Sequence, residues 1–90
     1  MSLTPVYTKQ FKKDVKLAQR RGKKLFLLKE AMSLLIEKEN LPARNQNHKL
    51  TGNFGDCREC HLRGDWLLIY KVSGQEIFFV RTGTHADLFE

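Results

Sequence analysis

From about Lys9 to Arg21 the apolar residues Phe11, Val15 and Ala18 recur at helical spacing among lysines and arginines. This spacing predicts an amphipathic helix with a strongly basic outer face, and Gly22 is a natural stop for it. A second helix is expected from about Lys24 to Lys38. It carries Leu25, Leu28, Met32, Leu35 and Ile36 on one side and Leu27, Ala31 and Leu34 on another. A helix apolar over so much of its circumference must be covered on two sides, here by the first helix and by a sheet. Beyond it the period shortens. Cys57 to Leu62 alternates, Trp66 to Val72 is almost continuously apolar and therefore central, and Gln75 to Thr82 follows across the turn residues Ser73 and Gly74. Arg63 and Gly64 turn the first of these strands into the second.

Val6 and Tyr7, after Pro5, suit a short first strand, and Ala86 to Phe89 suits a last helical turn or a docked tail. Asn40 to Asn47 reads as an irregular connection and Leu50 to Asp56 as a loop. The expected architecture is one α+β domain over residues 1–90, with two N-terminal helices packed on one face of a small, mostly antiparallel four-stranded sheet. The other sheet face is expected to be open.

Charge narrows the partners. With 16 Lys+Arg against 10 Asp+Glu the chain carries a net charge of +6, which attracts RNA, DNA, an anionic membrane or an acidic protein. Lys9, Lys12, Lys13 and Lys16 form a helical stripe suited to gripping backbone phosphates without sequence specificity. No apolar run approaches the roughly 20 residues that span a bilayer, and the first five residues lack the layout of a signal peptide. A cytoplasmic location is expected, with Cys57 and Cys60 as thiols.

The three histidines, His48, His61 and His85, all lie in the second half, interleaved with Asp65 and Arg81. Imidazole exchanges protons near neutral pH and arginine holds phosphate in a planar fork, so this composition suits metal-free cleavage of a phosphodiester. Cys57 to His61 also matches C-x-x-C-H, the haem-attachment pattern. Export and a haem pocket are both missing from the reading, however. A zinc site with His48 or His85 fares poorly as well, because residues three apart on a strand point to opposite faces. Asp65, just after a turn, either bonds local backbone or orients a histidine. Trp66 is a core residue or a stacking platform, and Arg81 a surface charge or a phosphate contact.

Taken together, H-K-L-T-G at 48–52, C-R-E-C-H at 57–61, G-D-W-L-L-I-Y-K at 64–71 and R-T-G-T-H-A-D-L-F at 81–89 resemble the YafQ branch of the RelE/ParE toxin superfamily. K-D-V-K-L-A-Q-R-R at 13–21 is similar to it too. The resemblance implies a bacterial type II toxin, an endoribonuclease that cuts messenger RNA, usually on the translating ribosome, and is held inactive by an antitoxin, which the net charge of +6 predicts to be acidic. It implies catalytic roles for His48, His61, Asp65, Arg81 and His85, with Trp66 and Phe89 as accompanying aromatics and no metal or other cofactor. Truncating Arg81 or His85, at the end of the last strand, is expected to leave the fold intact. The superfamily also contains gyrase-inhibiting members without such a histidine set, which keeps non-enzymatic gyrase inhibition as the alternative.

Overall fold

The computed structural model of the chain describes residues 2–50 and 52–89, with Asn53 described by its backbone alone. Thr51, within the H-K-L-T-G segment and the expected 50–56 loop, lies outside the described residues. Strand β1 (Thr4–Tyr7) leads into helix α1 (Lys9–Arg20) and helix α2 (Leu25–Ile36). A 3₁₀ turn at Ala43–Asn45 precedes β2 (His48–Lys49), and then come β3 (Arg58–Arg63), β4 (Trp66–Ser73), β5 (Glu76–Gly83) and α3 (His85–Phe89). The sheet order is β1-β5-β4-β3-β2, with β1 parallel to β5 and the remaining pairs antiparallel. The α+β class is as expected. The sheet has five strands rather than four, because His48 and Lys49 pair with Glu59 and Arg58.

Each helix end has a local cause. Thr8 accepts from the Phe11 amide at 2.9 Å, capping α1, while its hydroxyl donates to the Val80 carbonyl at 2.8 Å and fixes that cap to β5. Gly22, with φ +76°, closes the other end, where the Lys23 amide bonds back to Ala18.

Two apolar clusters lie on opposite faces of the sheet. Phe11, Ala18, Leu28, Ala31 and Leu35 of the two long helices meet Cys60, Leu62, Trp66, Leu68, Tyr70, Ile77 and Phe79 in the larger one. On the far face Cys57, Leu67, Ile69 and Leu88 form a smaller cluster, with Leu50, Phe54 and Val80 packed against it. The second face is therefore not left open as expected, since the segment around Phe54 and helix α3 cover part of it. Because Cys57 and Cys60 belong to different clusters, they cannot share one ion or haem. Burial pushes the Cys60 thiol up to about 12 and raises Cys57 as well, so neither offers a thiolate near neutral pH.

Strand β5 carries a bulge at Val80, for Tyr70 pairs with Phe79 and Ile69 with Arg81. β1 covers the outer edge of β5 only as far as Phe79. Past that point the buried Asp14 of α1 closes the edge, accepting from the Thr82 amide at 3.1 Å, from Arg81 Nε at 2.7 Å and Nη2 at 3.2 Å, and from Gln10 at 3.0 Å. A bulge redirects side chains and ends regular pairing, and here it coincides with the Arg81 fork docking on the helix layer.

Candidate active site

The strand register assembles the first half of the site. His48 stands opposite Glu59 across β2 and β3, and Glu59 and His61, two apart on β3, share a face. Their partners on β4 are Ile69 and Leu67 of the smaller cluster, so the group lies on the face turned away from α1 and α2. His48 Nε2 donates to Glu59 Oε1 at 3.2 Å, and His61 Nε2 lies 3.4 Å from the same oxygen. The Glu59 side chain is only 4% exposed, whereas His48 is 50% exposed and His61 22%. Glu59 is thus a fixed anchor between two imidazoles that remain within reach of solvent. The Asn45 side chain donates to the His61 carbonyl at 2.6 Å and ties the 3₁₀ turn to β3.

The second half comes from the β3–β4 turn and from α3. Asp65 accepts from His85 Nδ1 and, at 3.2 Å, from the His85 backbone amide. The side-chain bond first, and then the amide, hold the Asp65 carboxyl below the usual carboxylate range, with Lys23 adding a smaller pull. Because a carboxylate accepts, Nδ1 carries the proton, which places the lone pair of the neutral ring on Nε2. Thr84 and Asp87 place His85 in the first turn of α3. The Asp87 carboxylate accepts from the Thr84 amide at 2.9 Å, and the Thr84 hydroxyl accepts from the Asp87 amide at 3.2 Å, a reciprocal cap. Arg21 at the end of α1 then grips both Asp87 oxygens, at 2.7 and 3.3 Å, and brings that carboxyl down to about 2. The rings of His48, His61 and His85 form a row, with successive centroids 6.1 Å apart.

A family model for YafQ, the bacterial toxin of a type II toxin-antitoxin system, matches residues 3–90. The chain belongs to the YafQ toxin family. It is 48% identical over 84 residues to the mRNA interferase toxin YafQ of Escherichia coli K12, covering 92% of this chain and 91% of that protein. The crystal structure of the E. coli DinJ-YafQ toxin-antitoxin complex matches with a TM-score of 0.91 at 44% identity over all of both chains. A structure of metal-bound toxin from Helicobacter pylori matches with a TM-score of 0.89 at 39% identity, over 97% of this chain and 99% of that one.

The other expected site residues of this YafQ-family toxin are placed unevenly. Phe89 is exposed beside the row, 6.0 Å from His85 and edge-on to Phe54 at 5.7 Å. Trp66, by contrast, is 2% exposed within the larger cluster and has no ring face to offer a base, which corrects the stacking role set out for it. Arg81 is held by Asp14 rather than standing loose at a strand end, so truncating it strands a buried carboxylate and does not leave the fold untouched. Lys9, Lys12, Lys13 and Lys16 are exposed on α1, in the layer opposite the face that bears Glu59 and His61. Nearer the row, an open cleft of about 610 Å³ is lined by Arg44, Gln46, His61 and Arg63, together with Leu27, Leu62 and Gly64. Glu59 was absent from the sequence-based set, although its two-residue offset from His61 on a strand puts both on one face.

Proposed function

We propose that this toxin is a metal-independent endoribonuclease that cleaves messenger RNA by driving a ribose 2′-hydroxyl onto the adjacent phosphorus. The observation that carries the reading is the row of three imidazoles ending in the His85–Asp65 pair, supported by the mRNA interferase name of the E. coli relative. One group takes the 2′-hydroxyl proton as the new oxygen–phosphorus bond forms. Another gives a proton to the departing 5′-oxygen as the old bond breaks. His85 is one member of this couple and His61, the next ring along, is the other. Asp65 fixes the His85 tautomer and ring orientation, and Glu59 orients His61 and His48.

The phosphate gathers negative charge in the transition state. Arg81, its plane set by Asp14 through Nε and Nη2, meets that charge with Nη1, and Arg44 and Arg63 guide the strand into the cleft beside His61. Phe89 stacks a base next to His85. The ribosome supplies alignment that a flexible free RNA lacks, so cleavage is far faster on translated message. The inhibitor is a cognate acidic antitoxin, a partner supported by the DinJ-YafQ complex. No helix among the described residues is long and apolar enough to cross a membrane, and the substrate places the toxin's work in the cytoplasm. His48, Glu59 and His61 are the residues that would hold a metal ion, and their two imidazoles suit an ion of imidazole-binding type. None of the steps above passes through it.

The test is a translation extract charged with a defined message. Appearance of discrete RNA fragments, with DNA gyrase supercoiling unaffected, is the expected result. Intact message together with blocked gyrase would replace this reading with contact inhibition of gyrase.

A further inference from the structure

Three donor atoms, His48 Nε2, Glu59 Oε1 and His61 Nε2, lie within 4.8 Å of one another. Two ligands about 2.0–2.1 Å from a tetrahedral ion stand about 3.3 Å apart. The two distances from Glu59 Oε1, 3.2 Å to His48 and 3.4 Å to His61, already match that edge. The remaining His48–His61 edge closes by a swing of one ring, and His48, half exposed on a two-residue edge strand, is the ring placed to make it. Glu59 is held still by burial, so most of the site is built before an ion arrives. Two imidazoles and one carboxylate suit zinc or copper(II) far better than magnesium or calcium, whose preference is for oxygen. Three protein donors leave a fourth position for water.

We propose that this cluster takes one zinc-like divalent ion, and that the ion switches the toxin off. The inference rests on the metal-independent reading of the same site and adds a regulator to it. Coordination through Nε2 fixes the His61 proton on Nδ1 and leaves the ring no lone pair with which to take up another, and it draws His48 and Glu59 into a fixed cage beside His85. The ion displaces protons from the imidazoles, so toxin loaded with it has lost one half of the acid-base couple. An open zinc site is also able to activate water, and the experiment separates that outcome from inhibition.

The measurement is calorimetric titration of zinc sulfate into untagged, EDTA-treated toxin, paired with imidazole NMR and with cleavage of a ribosome-free RNA in the same samples. One equivalent should bind, the His48 and His61 ring signals should shift, cleavage should fall at least about tenfold, and EDTA should restore it. His48→Ala, a change at an exposed position, should weaken binding by about tenfold or more, as should Glu59→Gln. Absence of binding up to millimolar zinc, or equal affinity in His48→Ala, overturns the metal site and leaves the nuclease reading intact. Binding without loss of cleavage overturns the switch. Cleavage seen only with zinc overturns both the switch and metal independence, whereas a protein inactive in every sample fails as a nuclease while the titration still decides the site.

Discussion

Two carboxylates grip basic partners on opposite sides of β5, and they differ in nearly everything but charge. Asp14 is buried, accepts four hydrogen bonds and holds Arg81, a side chain that stays cationic throughout the working pH range. Asp65 is more than half exposed, as is its partner His85, an imidazole able to take up or give a proton. The first pair closes a sheet edge and leaves nothing to titrate. The second leaves an exposed imidazole at the end of the histidine row, and takes its place in the fold from a capped five-residue helix. Saturation and burial make an ion pair structural, while exposure and a titrating partner make it chemical.

Truncating each pair should separate these roles. The largest effect is expected from His85→Ala, with cleavage falling about 10²- to 10⁴-fold and melting temperature nearly unchanged, because the side chain is exposed. RNA cleavage and thermal unfolding of the purified variant check both halves. A large loss of stability with full specific activity would reverse the assignment.

Asp14→Ala comes next and should act on stability. Removing one partner of a buried pair costs about 3–5 kcal/mol, and the 24% exposure of the Arg81 side chain argues for the lower end. Chemical denaturation measures it. The same samples sharpen the role of Arg81. If the folded fraction of Asp14→Ala cleaves RNA normally and Arg81→Ala does not, the guanidinium meets the phosphate itself rather than merely holding the strand.

The smallest effect belongs to the Arg21–Asp87 clasp on α3. The Asp87 carboxyl is lowered from 3.8 to about 2, so its contribution is complete above the unfolded value and disappears as pH falls through the folded one. Between these limits the wild-type melting temperature should decline more steeply than that of Asp87→Asn. An exposed pair of this kind contributes little, and less in salt. Parallel curves for the two proteins would show that the clasp contributes nothing measurable.

The same contrast explains which features the sequence revealed. Helices α1 and α2 follow from the spacing of Phe11, Val15, Ala18, Leu28 and Leu35, and β4 from the unbroken run after Trp66, because each element repeats its own period over many residues. β2 was not legible, since two exposed residues, His48 and Lys49, carry no alternation. The smaller cluster escaped for a related reason: Leu50, Phe54, Cys57 and Leu88 come from segments too short to show a period. His48, His61, Asp65 and His85 were singled out by residue type and by family resemblance, and the fold brings the three imidazoles into one row with Asp65 bonded to His85. Asp14 and Arg81 stand 67 residues apart, and nothing local ties one to the other before the chain folds.

The chemistry of the cut ends tests the central claim most directly. Purified toxin should cleave a ribosome-free RNA, slowly, in excess EDTA, leaving a 2′,3′-cyclic phosphate or the 3′-phosphate it opens to on one fragment and a 5′-hydroxyl on the other. The cyclic phosphate is formed only when the ribose 2′-oxygen is the nucleophile. Fragments carrying a 5′-phosphate and a 3′-hydroxyl, or cleavage that disappears with EDTA and returns with a single divalent ion, would contradict the account.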